Sequence, residues 1–302
     1  MSRTEERNWR TRDIDTVPTF ELLTLLNAED ATVAGAVHAA LPALATVVDL
    51  VVERLRAGGR VHYFGAGSSG RIGVIDAAEV VPTFGTDPHV FIAHHAGGDR
   101  AVLAAVEGAE DDEDMGRKAG TGLTPADVAV GLSASGKTPW VGGALRAARE
   151  AGALTVLVSC NLAAPLAPLA DEAILVDTGP EAIAGSTRLK AATAQKMVLN
   201  ALSTAAMVRL GRTYSNLMVG MNVRNAKLRG RQITILMEAS GAQEAACRDE
   251  LARCDGDLRL ALLCLLSGVT PGQARPALAA ALGSVRVALA AIGKIQNQGD
   301  PA

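Results

Sequence analysis

Aromatic residues make up only 3% of the 302 positions, so the stacking platforms that hold single-stranded nucleic acid are not expected. Basic charge is not in excess either. A formal net charge of −3 provides no field that would draw in nucleic acid or an acidic membrane surface. Cysteine is sparse, and Cys160, Cys247, Cys254 and Cys264 lack the paired spacing of a zinc site. Buried thiols of a reducing compartment are the expectation. No apolar run follows a basic start, because residues 1–12 are charged throughout. The longer apolar stretches are broken by charge or glycine before they reach the roughly 20 residues a bilayer requires. A cytoplasmic protein with no nucleic-acid and no membrane partner is expected. What the chain does have is 49% hydrophobic against 20% charged residues, and length for one full domain plus a smaller appendage.

Residues 61–79 read V-H-Y-F-G-A-G-S-S-G-R-I-G-V-I-D-A-A-E. The apolar opening has the β-branched and aromatic character of a short buried strand. Gly65, Gly67 and Gly70 permit a tight turn, and Ser68 or Ser69 can cap a following helix. Hydroxyls and free N–H groups then converge at the positive end of a helix dipole, which suits a phosphate. The same glycines match the dinucleotide fingerprint, but that pattern requires an acidic residue after the next strand, and Asp87 precedes the strand expected at 89–93.

The rest of the chain alternates. A helix is expected over 20–27 and a longer one over 31–56 with a break near Pro42. Strands follow at 61–64, 89–93, 127–132, 154–159 and 173–177, with helices from about 69, near 99–107, over 139–151 and over 187–209. Such alternation predicts a three-layer α-β-α sandwich with a mostly parallel sheet. From about 222 onward only Ala-rich helical segments remain, which predicts a small helical bundle. The expected divisions are an arm and helices over 1–50, a ligand-binding domain over 51–214 and a helical domain over 215–302. Residues 1–18 read as a polar arm rather than a packed element.

A second strand–turn–helix lies at 127–140, with the turn S-A-S-G-K-T-P-W. Gly131 through Thr138 passes for a nucleotide P-loop. Pro139 argues otherwise, because it fits the first position of a helix capped by Thr138, whereas a P-loop helix has begun by then. Ser133, Ser135 and Thr138 therefore read, with Gly67, Ser68 and Ser69, as a second set of phosphate donors.

Residues 179–196, G-P-E-A-I-A-G-S-T-R-L-K-A-A-T-A-Q-K, offer a third helix start at Gly185, Ser186 and Thr187, with Arg188 and Lys190 as nearby cations and Glu181 just ahead. On spacing alone this is equally an ordinary well-capped helix. Taken with Thr4-Glu5 and Asn8, the 65–71 loop, Asp76 with Glu79, 82–85, 96–98, 106–111, 134–136 and 216–219, the segment resembles the N-acetylmuramic acid 6-phosphate etherases. These carry a sugar isomerase domain and share the Gly-Pro-Glu to Lys signature with glucokinase regulatory proteins. Lys137 stands where that family usually has Arg, Val80 and Val81 where Cys-Pro is common, Ala192 for a frequent glycine, Gly220 for an aspartate, and His94 and His95 for aliphatic residues.

The resemblance implies cleavage of the D-lactyl ether at C3 of N-acetylmuramic acid 6-phosphate, by elimination and then addition of water. It implies no metal or redox cofactor. Glu79 becomes the proton donor and Glu110 the second acid/base, although Glu110 also opens an acidic run over 110–114 that reads as a solvated face. Glu181, Ser186 and Lys190 join the substrate-binding set. A sugar phosphate-binding regulator without catalysis and an aldose–ketose isomerase are the alternatives. One distance constrains the arrangement: in an unbroken helix Ser69 and Glu79 lie about 15 Å apart, further than a sugar phosphate reaches from phosphorus to C3. Either the helix breaks near Gly73, or a homodimer shares its sites and the polar arm covers them.

Overall fold

Residues 3–221 and 226–298 are described by a computed structural model. Short 3-10 turns at Arg3–Glu5 and Trp9–Thr11 precede α1 (Thr19–Asp30), α2 (Val33–Ala39) and α3 (Leu41–Arg56). Then come β1 (Val61–Gly65), α4 (Gly67–Phe84), β2 (Phe91–His95), α5 (Asp99–Leu103), α6 (Glu113–Ala119), β3 (Val128–Leu132), α7 (Pro139–Glu150), β4 (Leu154–Ser159), β5 (Glu172–Leu175) and α8 (Lys190–Arg209). A two-residue hairpin, β6 (Thr213–Tyr214) with β7 (Leu217–Met218), leads to α9 (Ala226–Ser240), α10 (Glu244–Arg253), α11 (Leu258–Ser267), α12 (Pro271–Ala280) and α13 (Val285–Gln298).

The five long strands form one parallel sheet in the order β2-β1-β3-β4-β5. Every residue of β1, β3 and β4 is buried, whereas the edge strands β2 and β5 are mostly half-buried. Central strands covered on both faces need continuous apolar runs, which is how these segments read. One face packs Phe64, Ala129 and Leu157 against Trp140, Val141, Ala144 and Leu145 of α7. On the other, Tyr63 donates its hydroxyl to Asp76 of α4 at 2.8 Å. This is the α/β sandwich expected.

One expected break is borne out and other segments differ from the sequence reading. The break near Pro42 is real: α2 ends at Ala39 and α3 carries the proline in its first turn, where a missing N–H costs nothing. The acidic run at 110–114 is not merely a solvated face. Asp112 caps α6 by accepting from the Met115 N–H at 2.9 Å, and Glu113 and Asp114 fill the first turn, where negative charge is favoured. α6 then lies directly on α7: a Cβ at Gly116 would sit 1.9 Å from the Trp140 carbonyl oxygen, and one at Gly143 2.1 Å from that of Glu113. Residues 3–11 are not a loose arm: Thr4, Asn8 and Thr11 are buried, while Trp9 and the charged side chains between them stay largely exposed.

The chain divides into two compact units, Met1–Glu79 with Pro88–Thr204, and Val80–Asp87 with Ala205–Ala302. The expected arm over 1–50 lies within the first unit, and the division near 214 falls ten residues earlier. Helical periodicity runs through α4 and α8 without a mark at either crossing. The second unit is built on Leu236, Leu258, Leu260, Leu262, Leu263 and Val285, all at or near complete burial. Among the described residues no single helix is long and apolar enough to cross a membrane.

Candidate functional site

The strand order changes direction between β1 and β3, and the turns after these two strands open side by side at the carboxyl edge of the sheet. This is where open α/β sheets bind ligands. After β1 the chain closes so tightly that a Cβ at Gly65 would lie 2.7 Å from the Gly70 Cα, and one at Gly70 would lie 2.6 Å from the Gly65 carbonyl oxygen. α4 starts within that turn. After β3, the hydroxyls of Ser133 and Thr138 bond each other at 2.8 Å, Gly136 N–H donates to the Ser133 carbonyl at 3.1 Å, and Asn161 donates to the Ser135 carbonyl at 2.9 Å. Thr138 stands before α7 as expected, yet its hydroxyl goes to Ser133 rather than to a helix N–H.

The two turns wall a cleft of about 500 Å³. Gly67, Ser68, Ser69, Ser135 and Thr138 line it, with Lys137 beside them; Glu110 and Asp111 face them, and Glu5, Gly185 and Thr187 complete the wall. The starts of α4 and α7 both contribute, so two dipole ends serve one volume; α4 supplies most of the free N–H groups, because Pro139 has none and the Trp140 N–H is taken by the Glu110 carbonyl. Hydroxyls, amides and one lysine on one side with carboxylates on the other can hold an anion at one end and move protons at the other. Glu110 is fixed through its backbone, whose carbonyl accepts from the Trp140 N–H at 3.0 Å, leaving its side chain exposed.

Other sequence candidates lie elsewhere. Glu79 is exposed on α4 and does not line the cleft. α4 runs unbroken from Gly67 to Phe84, so the break near Gly73 does not occur and the separation from Ser69 stands at about 15 Å. Glu181 is fully buried and accepts from the N–H groups of Lys190 and Ala191, both at 2.9 Å, capping α8. Burial raises its carboxyl above the ordinary range, against the pull of those two donors. Lys190, 1% exposed, holds Glu29 at 2.7 Å, and Arg10 reaches the same carboxylate at 2.5 and 2.9 Å. Ser133 is buried within its turn, and it is Thr187 rather than Ser186 that reaches the cleft. The Gly-Ser-Thr segment does not begin the helix; α8 starts at Lys190.

The amino-terminal residues lie on their own chain. Thr4 O accepts from Gly185 N–H at 3.1 Å, Thr11 donates to the Ala182 carbonyl at 2.8 Å, and Arg3 pairs with Asp177. That places Glu5 at the cleft, a residue flagged on sequence only as part of the Thr4-Glu5 match.

Three clusters complete the picture. Asp76, 3% exposed, accepts from Tyr63, Asn200 at 2.9 Å and Ser203 at 3.0 Å, joining β1, α4 and α8; burial raises its carboxyl while the three donors lower it. His62 and His94 stack on Phe64, with ring nitrogens 3.0 Å apart. Burial lowers His62 and takes His94 to about 4, so near neutral pH the two uncharged rings share one N–H. In the helical unit Glu250, Cys254 and Cys264 bring ligand-type atoms within 4.8 Å of one another, which their spacing did not reveal. Burial pushes Cys254 up to about 12 and raises Cys264, and Glu250 pairs with Arg253 at 2.8 Å, an arrangement of protonated, packed thiols.

Residues 43–149 match the glucokinase regulatory protein N-terminal SIS domain, and residues 103–205 match the SIS domain. A Thermobifida fusca protein named N-acetylmuramic acid 6-phosphate etherase is 59% identical over 264 residues, 87% of each chain. One of the same name from Cutibacterium acnes is 48% identical over 291 residues, 96% of each chain. Among solved structures, a phosphoheptose isomerase from Francisella tularensis aligns at 17% identity with a TM-score of 0.49, covering 62% of this chain and 98% of that one.

Proposed function

The chain belongs to the N-acetylmuramic acid 6-phosphate etherases, and from that premise we infer that it is a carbon–oxygen lyase that cleaves the D-lactyl ether of N-acetylmuramic acid 6-phosphate. The products are N-acetylglucosamine 6-phosphate and D-lactate. The observation that carries this to a site is the cleft between β1 and β3, where two serine turns face Glu110.

In this reading the 6-phosphate sits on the N–H groups and hydroxyls at Ser68, Ser69, Ser135 and Thr138, with Lys137 at the rim. The sugar opens to its aldehyde, which acidifies the C2 proton. One carboxylate takes that proton, the C3–O bond breaks, and the departing lactate oxygen receives a proton from the second carboxyl group. Water then adds at C3. Two carboxyl groups held in different protonation states carry out such a sequence. Glu79 is assigned as the donor to lactate and Glu110 as the second acid/base. Glu181 and Lys190 act indirectly, by fixing the start of α8 and the amino-terminal residues that bring Glu5 and Thr187 to the cleft.

Glu79 lies too far along an unbroken α4 to serve the phosphate bound by its own turn, which supports a homodimer in which each Glu79 works in the other copy's cleft. The setting is cytoplasmic, in the recycling of cell-wall amino sugars. Incubation with N-acetylmuramic acid 6-phosphate and assay of lactate tests the reaction. Glu110→Gln and Glu79→Gln should each cut kcat by roughly 10²–10⁴-fold while substrate binding survives. Full activity in either variant removes that residue from the mechanism.

A further inference from the structure

The cleft continues past Glu110. A second cavity of about 350 Å³ adjoins it, the two sharing Ala66, Gly67 and Glu110. Its wall is mostly small and apolar, with Ala101, Ala105, Val106 and Ala109; His95 and Glu107 also line it, and its one guanidinium is that of Arg71, three residues beyond Ser68 on α4. Arg71 donates from Nε to the Val102 carbonyl and from Nη2 to the Ala101 carbonyl, each at 2.8 Å. Those two bonds fix the plane of the half-buried group and occupy one edge of it. The other edge, formed by Nη1 and the remaining Nη2 hydrogen, engages no carboxylate among the described residues. An arginine held in this way presents a pre-set fork for a planar anion, at little further cost in side-chain freedom.

The substrate assigned above has two anionic ends, the phosphate and the lactyl carboxylate. The serine turns account for the first. We propose that the side cavity is the subsite for the lactyl arm, with Arg71 gripping its carboxylate and the alanine wall taking its methyl group. This rests on the ether-cleaving reading. Glu110 stands where the two cavities meet, so an arm anchored at both ends lays its C2–C3 region across that residue. Once the C3–O bond breaks, the same guanidinium holds lactate apart from the sugar while water enters. The subsite also separates substrate from product: N-acetylglucosamine 6-phosphate has nothing to offer Arg71.

The experiment compares the wild-type chain with Arg71→Gln and Arg71→Lys on three compounds: N-acetylmuramic acid 6-phosphate, its analogue with the lactyl carboxylate converted to an amide, and N-acetylglucosamine 6-phosphate as a binding probe. Arg71→Gln should lower kcat/KM for the acid about 10- to 100-fold, the range for a lost hydrogen bond to a charged group. It should leave affinity for N-acetylglucosamine 6-phosphate unchanged and bring acid and amide substrates to similar rates. Arg71→Lys should recover part of the preference for the acid. Equal loss of affinity for N-acetylglucosamine 6-phosphate, or an undiminished penalty on the amide, would reduce Arg71 to a brace for α5 and overturn the proposal. So would a wild-type enzyme indifferent to amidation, a comparison that needs no variant to fold. A wild-type chain that releases no lactate from the acid overturns the ether-cleaving reading itself, a separate and recognisable result.

Discussion

At Gly136 the backbone adopts φ +69°, and a Cβ built there would lie 2.3 Å from the Ala164 Cβ and 2.8 Å from the Ser159 Oγ. No side chain can enter without moving the chain that shapes the second turn. Gly136→Ala should cost roughly 1–3 kcal/mol, visible as a lowered Tm, with a larger loss of substrate affinity than of kcat. The Glu29 carboxyl shows a different dependence on surroundings. The hydrogen bond from Arg10, helped by Lys190 and opposed by burial, takes it from 4.5 to about 2. Its folded value lies below its unfolded one, so its contribution is complete above about 4.5 and drains away as pH falls toward about 2. Glu29→Gln leaves the Lys190 ammonium buried without its counter-charge and should cost about 3–5 kcal/mol near neutral pH. The gap between wild type and variant, followed by denaturant unfolding, should narrow on acidification. A gap that widens would contradict the assignment. The serine turns were legible in the sequence because their chemistry is local. The roles of Glu181 and Lys190 were not, since the Lys190 partner Glu29 lies 161 residues away. Gly220 belongs with them: a Cβ here would lie 2.7 Å from the Phe84 carbonyl oxygen, and the sequence gives no warning of that approach.

Among elements, α4 and α7 matter most, because each begins at the cleft and each is anchored by the strand before it. If their starts bind phosphate, Ser68→Ala, Ser69→Ala and Ser135→Ala should raise KM for the 6-phosphorylated substrate several-fold each, with kcat less affected, as expected for interactions made before and during reaction alike. An unchanged KM across the three would dismiss the phosphate assignment. Strands and long helices were readable from their periodicity to within a few residues. α6 was not: its seven residues begin inside an acidic run, and what fixes it is contact with α7 through Gly116, Gly120 and Gly143, a tertiary fact. The unbroken course of α4 was open on sequence, since Gly73 permits a break. Packing resolves it: a Cβ at Gly73 would lie 3.0 Å from the Leu132 Cδ1 and 3.1 Å from the Tyr63 Cβ, so the glycine serves close helix-to-sheet approach.

For the whole molecule, the separation of Glu79 from the serine turn turns a distance into an assembly prediction. Assayed well below KM, where the raised KM leaves the double variant nearly silent, mixing Glu79→Gln with Ser68→Ala/Ser69→Ala should restore up to about a quarter of wild-type activity, because random pairing makes about half the dimers mixed and each has one intact site. No recovery, with subunit exchange verified independently, would confine both groups to one chain. The course of α4 has one more consequence. The helix starts in the sheet unit at Gly67, yet Val80–Asp87, including the buried Phe84, belongs to the helical unit. The helical unit is therefore not a contiguous block of sequence. A gene segment that encodes only residues 205–302 leaves part of it behind, and a single recombination crossover cannot trade that unit for another. A clean exchange takes breakpoints near 79, 87 and 204 together.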